Sequence, residues 1–407
     1  MKNSSNNKQS GAVSLFIVIF FMLLLTVVTV SFLRLMTADQ QQSSNNDLSQ
    51  SAYDSTQAGV EDAKRSLLAY KQYCNTHTLA ECASAGNDTH LASKICNAAL
   101  ANGIGEMATT QASEVMVQQS NNDGSDLLDQ AYTCVTILLE TEDYVGNVAA
   151  NETQLVPLVS DTPFNRVHVE WFSREDVSSN AVNLNDVDVT GQPLYTAGKW
   201  PVNRPSLLRA QLMQVAKTGF TLSNFDTVSG DQSNGATLFL YPTKEPNIGE
   251  REMTAIDQRK ASPTADPIPK TGNLTPTKVS CKTSLSAGGY ACSSTLVIPQ
   301  AIGANDSTRN AFLRLTPLYN GTHFRVTLWN GAVIANNPPT ALFKDVQPLI
   351  DSTGRANDLF RRVESRVDLF DTTFPYPEAA IDVTGNFCKD FAVTDTQYIE
   401  GTNGCKP

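Results

Sequence analysis

The sequence predicts an α+β protein in which a long N-terminal helix, first transmembrane and then amphipathic, precedes a β-rich, disulfide-bonded extracytoplasmic head in two lobes. Three observations carry that expectation. Residues 12–33 contain no charged side chain, and residues 37–73 repeat apolar side chains mostly three or four positions apart. The remainder alternates short β-branched or aromatic runs with Asn, Asp, Gly and Pro, and holds all eight cysteines.

The uncharged run, Ala12 to Leu33, is 22 residues long. As a helix rising about 1.5 Å per residue it reaches roughly 33 Å, enough to cross a hydrocarbon core of about 30 Å. It is longer than the apolar part of a cleaved secretory signal, and "SFLRLMTADQQQ" after it holds no small-x-small site. Lys2 and Lys8 precede it, so the positive-inside bias keeps residues 1–11 in the cytoplasm and sends the bulk of the chain outward. Residues 12–36 are thus predicted to form the membrane helix, with residues 12–33 as its contact with lipid.

The helix is predicted to continue over 37–73, where Leu48, Ala52, Val60, Ala63, Leu67 and Tyr70 make one stripe. The polar "QQQSSNND" is its weak point, because Ser, Asn and Asp side chains compete for the backbone hydrogen bonds. The first head region, 74–258, begins with small-residue segments of helical pattern ("HLASKICNAALA", "ASEVMVQQ") and turns to strands at "AYTCVTILLE", "FNRVHVEWFS", "PSLLRAQLMQVA" and "ATLFLYPT". Residues 259–278, with four prolines, read as a linker to a second β-rich region, 279–407. There "STLVIPQ", "AFLRLTPLY", "THFRVTLW" and "DLFRRVESRVDL" read as strands, and Asn320-Gly321 predicts a hairpin between the middle two.

Cys74, Cys82, Cys96, Cys134, Cys281, Cys292, Cys388 and Cys405 all follow the span, an even number in an oxidising compartment. Spacing pairs Cys281 with Cys292 and Cys388 with Cys405. The first four admit three pairings, and with His77 and His90 among them a zinc site is the alternative, although no compact C-x2-4-C knuckle occurs. A net charge of −11 without a Lys/Arg cluster argues against a nucleic-acid partner.

The basic leader ending in glycine, the apolar helix opening on a small residue ("KQSGAVSLFIVIFFMLLLTVV") and the following "QAGVEDAKRSL" resemble the start of PilX-like minor pilins of the type IV filament superfamily. The resemblance covers residues 8–70. It implies cleavage between Gly11 and Ala12, methylation of the new terminus, and a filament core built from helix residues such as Phe16, Phe20 and Leu24. It also implies other pilin subunits and the pilus assembly machinery as partners, and a head that primes, caps or decorates the pilus and touches a cell-surface ligand. Major pilins carry a glutamate at the fifth mature position, used for subunit registry; here Phe16 stands in that place, as expected of an initiating or tip subunit. The alternative is a permanently anchored extracytoplasmic adhesin that never enters a filament.

No G-x-S-x-G, H-E-x-x-H, P-loop or dinucleotide fingerprint occurs, and four histidines leave few general bases, so neither catalysis nor a cofactor is expected. His168 and His323 fall in predicted strands, where a structural role is expected, and Trp171 and Trp329 are expected in the core. Asn185, Asp186, Asp188 and Thr190, with Gly191, approach a calcium loop but lack its closing glutamate; Asp226 and Asp231 make a second oxygen-rich turn. Turn formation accounts for both without an ion.

Overall fold

A computed structural model describes residues 10–78, 80–82, 84, 114–118, 129–184, 200–216, 228–229, 232–233, 235–244, 252–254, 276–304, 306, 309–331 and 340–369. The chain forms one long N-terminal helix followed by a β-rich region, and divides into two units: Met1–Ile137 with Ile350–Ser365, and Leu138–Leu349 with Arg366–Pro407.

In the first unit, helix α1 runs unbroken over Ser10–Thr76, 67 residues or about 100 Å. The polar stretch expected to weaken it is helical throughout, and every residue of 31–47 is exposed. Strands β1 (Val115–Gln118), β2 (Gln130–Thr141), β16 (Phe343–Ala356) and β17 (Leu359–Arg366) lie side by side in that order; β2, β16 and β17 carry residues of both units. Within the segment "ASEVMVQQ", expected to be helical, Val115–Gln118 form instead the edge strand β1, antiparallel to β2 with Val115 opposite Tyr132. β-branched Val115 and Val117 suit an extended backbone better than a helix; Val115 is buried, and a register shift between Met116 and Gln118 accompanies the exposure of Val117.

The second unit holds two larger sheets. One contains β10 (Glu252–Thr254), β12 (Tyr290–Ile302), β5 (Phe164–Ser173) and β14 (Thr322–Trp329) in that order; β3 (Asp143–Val148) and β15 (Thr340–Ala341) share the far edge of β14. The other runs β11 (Thr277–Ser280), β9 (Gly235–Thr243), β6 (Leu207–Ala216), β13 (Arg309–Leu318) and β4 (Gln154–Pro157). A small antiparallel pair, β7 (Val228–Ser229) and β8 (Gln232–Ser233), is separate. Inward residues of both larger sheets, among them Val169, Trp171, Phe324 and Val326 from one and Leu212, Leu240, Leu313 and Leu315 from the other, share one hydrophobic cluster, as in a sandwich.

Two expectations about chain organisation differ from this topology. Strands before and after 259–278 interleave in both sheets: β5 lies between β12 and β14, and β6 pairs with β13. The proline-rich stretch therefore does not separate two sets of strands. Asn320-Gly321 makes a tight turn, with Tyr319 at φ 79°, but β13 and β14 do not pair; they enter different sheets. The Asn320 side chain donates to the carbonyls of Pro201, Val202 and Arg204, fixing a corner between sheets in place of a hairpin.

Candidate membrane and assembly interface

The two halves of α1 have different surroundings. From residue 14 to residue 36 every side chain is exposed: Phe16 is 79% exposed, Phe20 66% and Leu24 50%. Three of its hydroxyls are already satisfied, since Thr26 donates to Leu23 O, Thr29 to Leu25 O and Ser31 to Val27 O, each at 2.8 Å. A polar group in lipid needs such an internal partner. Among the described residues α1 is the one helix long and apolar enough to cross a membrane, which makes it a candidate anchor. Gly11 and Ala12 lie in its first turns.

The other half is docked. Ala52, Val60, Ala63, Leu67 and Tyr70 of the expected stripe are buried, together with Ser51, Ser55, Thr56 and Ser66, which the apolar pattern did not include. Helix and sheet approach closely because two glycines remove side chains between them. A Cβ on Gly354 would lie 2.3 Å from Thr56 N and 2.6 Å from Ala52 O, and one on Gly59 would lie 2.4 Å from Ser352 Oγ. Thr56 is the hub of this contact. Its hydroxyl accepts from Gly354 N at 2.9 Å and lies within bonding reach of Ala52 O and Arg361 O, while its carbonyl accepts from Ser352 Oγ at 3.0 Å.

Charged and phenolic groups lock the rim. Tyr132 donates to Asp62 at 2.7 Å; burial first, then Asp62, pushes this phenol far above its ordinary range, so it remains a donor. Arg355 bonds Glu114 and Asp129, and hydrogen bonds to Glu114 are the main reason its pKa rises. Arg361 donates to Ser49 at 2.9 Å. Spacing could reveal the helix stripe, but nothing in the local pattern marks Gly59, Thr56, Ser352 or Gly354 as partners.

Cys74, near the end of α1, is bonded to Cys82, which selects one of the three pairings left open and removes both sulfurs from a zinc site. His77 stacks on Tyr73 with ring centroids 3.8 Å apart. Cys281 is bonded to Cys292, tying the end of β11 to β12. Cys134 lies in β2, whereas Cys96, Cys388, Cys405, His90 and both oxygen-rich turns, Asn185 to Gly191 and Asp226 with Asp231, fall outside the described residues. His168 is buried, with Nδ1 2.9 Å from Thr295 Oγ1 and its ring stacked on Trp329. Burial, then Arg325, lowers its pKa to about 4. Among the described residues no three His, Cys, Asp or Glu side chains are grouped to hold a metal. No protein-family model, curated protein or solved structure matches the chain.

Proposed function

We propose that this protein is a non-catalytic minor pilin or pilin-like subunit of a type IV filament, held in the cytoplasmic membrane by the apolar half of α1 with its β-rich region outside. In an assembly the same helix half, including Phe16, Phe20 and Leu24, packs among the helices of other subunits, and the β-rich region primes, caps or decorates the pilus and meets a cell surface. The observation that carries this reading is the contrast along α1. One half is bare from Leu15 to Met36 and the other is buried on a sheet. An apolar surface that large needs lipid or similar helices around it. The disulfides are in keeping with an oxidising compartment.

Mass spectrometry of sheared filaments tests the proposal: a chain beginning at Ala12 is expected. Full-length protein confined to the membrane fraction would overturn it and leave the permanent anchor.

A further inference from the structure

At one end of the six-stranded sheet in the second unit, a recess of about 500 Å3 is bordered by Arg174, Glu175, Tyr290 and His323. Several features hold these side chains in place. Strand β5 leaves its ladder with β14 after Trp171, and the next residue, Phe172, has φ 68° although its ring is buried. A bulky residue in the left-handed region is uncommon, and such conformations cluster at functional sites. Phe172 N is satisfied by Thr322 Oγ1 at 2.9 Å.

The chain then makes a single 3-10 turn, Arg174–Asp176, capped by Ser173. Asp176, whose side chain is 6% exposed, accepts from Ser173 N at 2.7 Å, from His323 N at 3.0 Å and from His323 Nδ1 at 2.7 Å. Those bonds fix the imidazole and leave Nε2 on the other side, 3.1 Å from Glu175, whose carboxylate is 75% exposed. Arg174 makes no ion pair among the described residues and lends only one N–H to Val177 O. On the opposite lip Gly288 and Gly289, both at φ 74°, turn the chain into Tyr290, whose ring is braced by the Arg325 guanidinium 5.4 Å from its centroid.

The lining selects a ligand by charge and shape. Among the lining side chains Glu175 disfavours an anion and Arg174 disfavours a cation, while behind them Asp176 is bonded to His323 and Glu170 to Arg325. A half-exposed phenol, an exposed donor and an exposed acceptor around one recess instead suit a neutral molecule with an apolar face and a rim of hydroxyls that both donate and accept. We propose that this recess binds the pyranose ring of a neutral saccharide: Tyr290 meets the C–H face, Glu175 accepts from ring hydroxyls, and Arg174 donates to them. The site goes beyond the filament reading and does not need it, because a sugar-bound chain and a chain beginning at Ala12 are separate readouts.

Saturation-transfer NMR on the full chain in a polyoxyethylene detergent, which has no sugar head group, decides it. The probes are methyl glucoside, methyl galactoside, methyl mannoside and N-acetylglucosamine, with acetate and tetramethylammonium as charged comparators. Transfer to the ring protons of at least one sugar is expected. Affinity should fall at least about tenfold in Arg174→Ala and in Glu175→Ala, the loss of a charge-assisted hydrogen bond. Both residues are exposed, so unfolding temperature should not move. Absence of transfer to every sugar, stronger transfer to a charged comparator, or undiminished sugar binding in the double variant would overturn the proposal.

Discussion

At Asp345 and His168 the second unit sets two titrations against each other. Asp345 lies in β16 at φ 54°, with a buried Oδ1 that has no hydrogen-bond partner among the described residues. Burial, with Asp161 and Glu140 adding to it against Lys344, raises its pKa from 3.8 to about 6. Its stability contribution is full below the unfolded pKa and is lost as pH rises through about 6. His168 has the opposite sign: its pKa falls from 6.5 to about 4, so its contribution is full above the unfolded value and is lost as pH falls through about 4. Each shift is worth on the order of 3 kcal/mol, and the two nearly cancel across the shared window. Asp345→Asn, whose side chain tolerates the left-handed backbone, should therefore be about 3 kcal/mol more stable than the parent at pH 7 and equal to it near pH 4. Urea unfolding followed by tryptophan fluorescence checks both; a parallel pH dependence in the two proteins would refute the assignment.

The helix–sheet contact of the first unit rests on backbone approaching backbone. Gly354→Ala would drive a methyl into Thr56 N and Ala52 O, atoms of a hydrogen-bonded helix that cannot step aside. A loss of roughly 2–3 kcal/mol is expected, with faster amide exchange over Val60 to Leu67. Gly303→Ala, where a Cβ meets nothing within 4 Å, should be neutral. Equal effects from the two substitutions would mean that the close approach does not matter. Within α1 itself, residues 40–47 have weak helix propensity and are wholly exposed, whereas 60–67 include four buried side chains: Val60, Ala63, Ser66 and Leu67. Amides of the first group should exchange faster in the full chain and, as a hypothesis, let the helix bend in an assembly. Equal protection of the two segments in assembled filaments would show a rigid helix.

For the molecule as a whole, the bare apolar helix half and the oxidised cysteines make linked demands. The intact protein should stay in the membrane pellet through an alkaline wash, and a chain beginning after Met36 should not. Non-reducing peptide mapping should return Cys74 with Cys82 and Cys281 with Cys292, with no free thiol anywhere in the chain. Recovery of reduced Cys281 from the native protein would place the β-rich region in a reducing compartment and remove the argument for export.

What the sequence determined by itself is whatever depends on neighbours in the chain. The apolar helical run from Ala12 to Leu33 follows from its uncharged composition, and the stripe from Ala52 to Tyr70 and the individual strands from "AYTCVTILLE" to "DLFRRVESRVDL" follow from local periodicity, which sets the face each side chain presents. "ASEVMVQQ" shows the limit, since four residues are too few for a period to declare itself. Tertiary structure decided which faces meet. Asn320-Gly321 specifies a tight turn but not whether its flanking strands pair, because β13 and β14 each bury an alternating face and can do so in different sheets. Residues 350–365 join the N-terminal helix across almost the whole chain, through Gly354 and Ser352 on Thr56. A glycine or serine carries no hydrophobic signal, and its importance exists only once a backbone from elsewhere in the chain arrives beside it.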